Sequence, residues 1–210
     1  MRISKKGWAF IKVIIFFLSL SPFLLLLNAT IQGQLGANPI QTLHFSLGDW
    51  ALRFLCIGLA LTPLKRLIKQ SWPIRFRRMM GLFAFFYASS HFLVYIVLDL
   101  SFSWEEFIDE VPKSPYILVG LFTYLLLIPL ALTSTKAMQK RLGKRWTQIH
   151  KLVYIAGISA VIHYLWLVKS DLVEPLIYAS IMFVLLGSRL LNYVKTRKAA
   201  PALVNQRSTT

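Results

Sequence analysis

Four histidines, His44, His91, His150 and His163, are the side chains of this sequence best placed for chemistry, and two of them sit where a polar group is least expected. His163 lies well inside the apolar stretch WTQIHKLVYIAGISAVIHYLW, residues 146–166, and His91 lies inside a second apolar run, residues 79–98. An ionisable group at bilayer depth is costly unless something pairs with it, so both are candidate functional positions. Counted along two helices that run the same way, at about 1.5 Å per residue, both come roughly 18 to 20 Å above the basic ends of their runs. Two neutral imidazoles at one depth can clamp a porphyrin iron from both sides. Such an iron has no open position, which suits electron transfer rather than oxygen binding. Small neighbours (Ala84, Ala88, Ala156, Ser159, Ala160) leave room for a flat macrocycle. The competing account is a histidine hydrogen-bonded across a helix interface, with small residues serving ordinary helix packing; spacing alone leaves both open.

The elements that must position these rings follow from the hydrophobic pattern. Of 210 residues 56% are hydrophobic, and they gather in runs of about 20, the length of a membrane-crossing helix. Six spans are predicted, at residues 8–27, 47–64, 79–98, 115–133, 150–168 and 172–193, an all-α integral membrane bundle. The first run also resembles a signal peptide, but its length and the poor cleavage site Asn28-Ala29-Thr30 favour a retained span. One domain, residues 1–194, is expected, followed by a disordered cytoplasmic tail, residues 195–210. No linker and no internal repeat of fixed period is visible. The span at 115–133, free of charged residues, reads as packing, and the segments 28–46, 99–114 and 134–149 read as connections.

Net charge +16 would suggest nucleic acid in a soluble protein, but the basic residues fill alternate short connections while all eight acids fall on the other side. Under the positive-inside rule this puts both termini in the cytoplasm. Cys56 is the only cysteine, which excludes an internal disulfide and a cysteine-held iron–sulfur cluster. No dinucleotide-binding glycine fingerprint is present, so a nicotinamide or flavin enzyme is expected only as a separate partner.

Other candidates carry two readings each. His150, among Lys144, Arg145 and Lys151, is either a second metal ligand near the cytoplasmic face or a solvated interfacial residue. A second centre there needs a partner near Arg77 or Arg78, and neither is histidine. His150 and His163 also point about 140° apart on an ideal helix, so one plane for both requires a π-bulge. Arg53 can neutralise a haem propionate or pair with Asp49 one turn away. Arg77 and Arg78 can hold an anionic cofactor or face lipid headgroups. His44 is the weakest ligand candidate, facing a quinone headgroup or solvent.

The strings LTPLKR, IRFRRMMGL, FYASSH, LTSTKAM, LGKRWTQIH and IHYLW, in this order, resemble the YedZ/MsrQ family, a branch of the ferric-reductase-like transmembrane domain. The resemblance spans residues 8–193. It implies a b-type haem protein of the bacterial inner membrane that carries one or two haems, with FMN also attributed to the family. His91, His150 and His163 match the family's histidines. Electrons are expected from the quinone pool or a cytoplasmic flavin reductase, and pass to the periplasmic molybdopterin reductase MsrP for repair of methionine sulfoxide in proteins. The chain itself is then a redox subunit, with substrate reduction on the partner. Two alternatives remain: a stand-alone ferric reductase, and a small solute or proton transporter using Asp49, Arg53 and the buried histidine. The second is disfavoured by the absence of paired interrupted helices.

Overall fold

A computed structural model of the chain describes residues 4–168 and 171–207, with side chains as far as Lys195. The described residues form nine α-helices: α1 (Lys5–Ile31), α2 (Pro39–Leu67), α3 (Arg77–Val94), α4 (Trp104–Lys113), α5 (Pro115–Leu132), α6 (Lys136–Leu142), α7 (Lys144–Ile149), α8 (Leu152–Leu167) and α9 (Val173–Arg207). A 3-10 turn, Trp72–Phe76, leads into α3, and a π-helical turn, Tyr95–Asp99, ends it. Six segments are long and apolar enough to cross a bilayer: Lys5–Ile31, Pro39–Leu67, Trp72–Asp99, Pro115–Leu132, Lys144–Leu167 and Val173–Lys195. The chain is therefore an all-α membrane protein with six candidate spans, the solution that satisfies backbone polar groups within each segment where water is absent.

Capping residues set the helix starts and shift several expected boundaries. Asn38 accepts from the Gln41 amide at 3.2 Å, and Pro39 occupies the first turn, where its missing N–H costs nothing. α2 therefore begins two turns before its apolar run, and His44, expected in a loop, stands on it. The acidic connection 99–114 contains α4, capped by Ser103 onto the Glu106 amide and charged in the favourable sense, Glu105 and Glu106 at its start and Lys113 at its end. The basic connection 134–149 is likewise helical, as α6 and α7. The backbone of α9 continues to Arg207, with Pro201 inside it, over the segment predicted as a disordered tail.

Two helix pairs make the centre. α2 packs along α3, and α5 along α8, in the two most extensive contacts of the fold. Phe54 of α2 stacks on Phe83 and Tyr87 of α3, with ring centroids 5.4 and 5.3 Å apart, and Leu127 of α5 and Ala156 of α8 join the same core. α1 and α9 flank this centre and expose apolar faces, among them Phe17, Leu25 and Phe183. α1 is tied in where Pro22 disturbs its ladder. The fully buried Tyr87 hydroxyl donates to the Ser19 carbonyl at 2.9 Å and accepts from the Phe23 amide at 3.1 Å. All eight acids lie toward the end of the bundle where α2 starts, α3 stops and α4 lies; the connections at the other end carry basic residues and no acid.

Candidate functional site

α3 and α8 bring His91 and His163 together, ring centroids 6.2 Å apart and planes at 80°. Two metal–imidazole bonds of about 2 Å each, plus the half-ring behind each nitrogen, fill such a separation. The Nδ1 of His91 lies 3.0 Å from the His44 carbonyl, and the Nδ1 of His163 lies 2.7 Å from the Tyr116 carbonyl. A carbonyl can only accept, so each Nδ1 carries the proton and each Nε2 keeps its lone pair. That is the tautomer and the outer contact typical of a metal-ligating histidine.

Glycine makes both contacts possible. Gly48 follows His44 by one turn of α2, and Gly120 follows Tyr116 by one turn of α5. A Cβ at Gly48 would lie 3.4 Å from both Cε1 and Nδ1 of His91; one at Gly120 would lie 2.7 and 2.8 Å from the same atoms of His163, a separation that real Cβ atoms do not adopt. Each imidazole thus lies on bare helix backbone and reaches the carbonyl of the preceding turn. From His44 to Tyr116, Gly48 to Gly120 and His91 to His163 the step is always 72 residues, and Ala84 to Ala156 and Ala88 to Ala160 repeat it. The α2–α3 and α5–α8 pairs are therefore two versions of one arrangement.

Between them opens a cavity of about 630 Å³, lined by both histidines, both glycines, Ala88 and Ala160. Its size falls within the range of cofactor pockets, about 300 to 1,000 Å³. Among the described residues no three His, Cys, Asp or Glu side chains converge on one point. The imidazoles of His91 and His163 could hold a metal whose other positions a macrocycle fills.

Residues 47–161 match the family model described as ferric reductase like transmembrane component. A protein of Xanthomonas euvesicatoria pv. vesicatoria named protein-methionine-sulfoxide reductase heme-binding subunit MsrQ is 50% identical over 164 residues, which cover 78% of this chain and 75% of that one. The protein of the same name from Herminiimonas arsenicoxydans is 48% identical over 179 residues, 84% of this chain and 82% of its own. This chain belongs to the MsrQ family, within the ferric-reductase-like transmembrane proteins. No solved structure matches it.

Of the other positions singled out in this MsrQ family member, His44 also lines the cavity, its ring 5.1 Å from that of His91, whereas His150, Arg53, Arg77 and Arg78 do not line it. His150 caps the end of α7 at the opposite end of the bundle, its ring stacked 3.9 Å from that of Trp146 and its Nδ1 3.1 Å from the Trp146 carbonyl. The chain breaks between α7 and α8 at His150 and Lys151, so no π-bulge relates His150 to His163; the π-helical turn lies at Tyr95–Asp99 instead. Arg53 pairs with Asp49 at 2.7 Å and with the Tyr178 hydroxyl at 2.9 Å, and it does not line the cavity. Arg77 is partly buried near Tyr154 and Arg189, whereas Arg78 is exposed. His44 gives His91 its carbonyl while its own Nε2 meets Asp99 at 2.5 Å. The span at 115–133, read from its composition as packing, supplies Tyr116 and Gly120 to the site. The 72-residue step was the sequence signal for this role, and it emerges only once the histidines are paired with glycines.

Proposed function

We propose that this chain is the haem-binding membrane subunit of a protein-methionine-sulfoxide reductase. In this reading it takes electrons from quinol, or from a cytoplasmic flavin reductase, and passes them to the periplasmic molybdopterin reductase MsrP. The observation that carries the reading is the imidazole pair, 6.2 Å apart, with both Nδ1 atoms bonded to backbone carbonyls and a cofactor-sized cavity around it. The names of the relatives support the same cofactor and the same enzyme system.

His91 and His163 would hold the iron through Nε2, the nitrogen left free by the carbonyl contacts of Nδ1. The carbonyls of His44 and Tyr116 fix the rotation of each ring and strengthen it as a donor. Ala88 and Ala160 leave space beside the rings, and the apolar wall from Leu52, Leu55 and Leu127 excludes water. A haem held here by His91 and His163 would supply a one-electron couple inside the membrane. By the positive-inside rule the acid-bearing end faces the periplasm and both termini face the cytoplasm of a bacterial inner membrane. Glu105, Glu106 and Asp109 on α4 are exposed at that end and suit the approach of a basic partner surface.

Absorbance of the protein purified from haem-replete cells tests the reading. A Soret band that shifts on dithionite reduction is expected, and a colourless preparation overturns it. Reoxidation by methionine sulfoxide only when an MsrP-type reductase is added supports the assigned acceptor; direct reoxidation by ferric iron alone assigns a ferric reductase.

A further inference from the structure

α4 is too short to cross a bilayer, and its place in the chain fixes its level. Residues 100–103 join it to the end of α3 and Ser114 alone separates it from α5, so it stays in the plane where those two spans reach the membrane surface. Trp104, Phe107, Ile108 and Val111 recur at the spacing of one helix face, and Glu105, Glu106, Asp109 and Lys113 take the other. Half of the apolar face has partners inside the protein. Val111 is buried, and Phe107 lines the cavity together with Glu110, whose carboxylate accepts from the Tyr95 hydroxyl at 2.9 Å. The entry turn is equally well seated: Leu100 is buried, while Ser101 and Phe102 stand at φ 48° and 62°, a left-handed conformation that a side chain as large as Phe adopts only at a cost.

The other half of that face has no such cover. Trp104 and Ile108, one turn apart, are each 70% exposed, and Phe102 just before them is 65% exposed. Three large apolar side chains close together in the sequence mark a contact surface rather than one that meets water. Its surroundings say what covers it. Leu98 at the end of α3, and Leu118 and Phe122 of α5, are exposed apolar residues of the two adjoining spans, the class of surface that meets lipid. The charges do not ring the pair either. Around the helix axis Glu105 and Asp109 follow Trp104 and Ile108 on one side, whereas Phe107 and Val111, on the other, turn into the bundle. A hot spot for a soluble protein is surrounded by a polar rim; a helix lying in a membrane interface has one apolar and one charged side, with Trp at the boundary.

We propose that α4 is an interfacial helix whose Trp104 and Ile108 insert between the headgroups and upper acyl chains of the leaflet at the acid-bearing end, with Glu105, Glu106 and Asp109 turned to water. Lipid on one flank and the Tyr95–Glu110 bond on the other then hold Phe107 and Glu110 in the cavity wall. This anchoring needs neither a particular cofactor nor a particular electron acceptor.

The test uses the full-length protein in phospholipid nanodiscs, with Trp104→Cys, Ile108→Cys, Glu105→Cys and Glu106→Cys each made in a Cys56→Ala background. A charged, membrane-impermeant maleimide is added and the rate of modification is read by mass spectrometry. Because the thiolate reacts and an apolar environment suppresses it, the thiols at 104 and 108 should react about tenfold more slowly than those at 105 and 106. In the unmodified protein, a phospholipid carrying a photoreactive group on its acyl chain should cross-link to Trp104 and Ile108 and not to Glu106. Trp104→Ser combined with Ile108→Ser should speed amide exchange over residues 104–113 several-fold and leave the core of α5 unchanged. Equal rates at the four cysteines would place the face in water, open to a soluble partner; slow rates without lipid cross-links would assign it to a second copy of the chain; unaltered exchange in the double variant would remove the anchoring. Each of these would overturn the proposal.

Discussion

The α2–α3 and α5–α8 pairs agree at one end of the molecule and part company at the other. At the acid-bearing end each supplies a carbonyl, a glycine one turn later and a histidine on the partner helix, 47 residues beyond the carbonyl. Toward the opposite end the same 72-residue step sets Arg78 against His150, and within the core it sets Tyr87 against Ser159 and Ala51 against Thr123. A flat group gripped from two sides makes equal demands on both sides, and there the two pairs are alike. Where no such demand acts, they have diverged toward their neighbours: Tyr87 turns out to hold α1, whereas Ser159 bonds Thr123 across its own pair at 2.8 Å.

The largest effect should come from removing either half of the grip. His91→Ala or His163→Ala should abolish the absorbance of the paired centre, with equal severity, while His44→Ala should retain it because the contact to His91 comes from the backbone carbonyl. A loss confined to the His44 variant would reassign the ligand. Next in size, the glycines should separate the two sides. Gly120→Ala forces its Cβ to within 2.7 Å of His163 and should sharply reduce haem content, whereas Gly48→Ala, with 3.4 Å to His91, should lose much less. Haem-to-protein ratios of the two variants measure this directly, and the reverse order contradicts the packing described above.

Smaller effects should mark the divergent positions. Tyr87→Phe removes the hydroxyl that bridges Ser19 and Phe23 and should cost about 1 kcal/mol, read as thermal stability, partly recovered if α1 closes its own bond. Ser159→Ala should cost less, about 0.6 kcal/mol as for other polar contacts between membrane helices, because the Thr123 hydroxyl still donates to the Val119 carbonyl. His150→Ala should leave the spectrum of the His91–His163 centre in place, since His150 is engaged with Trp146 and lies outside the cavity.

Much of this was legible in the sequence, and the unreadable part has physical causes. Six apolar runs and the alternation of basic connections are one-dimensional signals, and they announce the bundle. The common depth of His91 and His163 follows from counting residues along two straight helices. The role of α5 was hidden because its contributions, a backbone carbonyl and a missing side chain at Gly120, have no chemical signature in composition. The early start of α2 was missed because hydropathy does not register a cap such as Asn38-Pro39. The partner of Arg53 was open because Asp49 and a cofactor carboxylate look alike to a guanidinium, and only the direction of the side chain, toward Asp49 and Tyr178, separates them.

Electron paramagnetic resonance of the ferric protein tests the central claim most directly. An iron held between two imidazoles whose planes stand at 80° would have its two dπ orbitals, each interacting with the π system of one ring, nearly equal in energy. The spectrum should be a strongly anisotropic low-spin signal that disappears in both His91→Ala and His163→Ala. A high-spin signal, a low-spin signal that survives either substitution, or no haem signal at all would contradict a single iron held between these two rings.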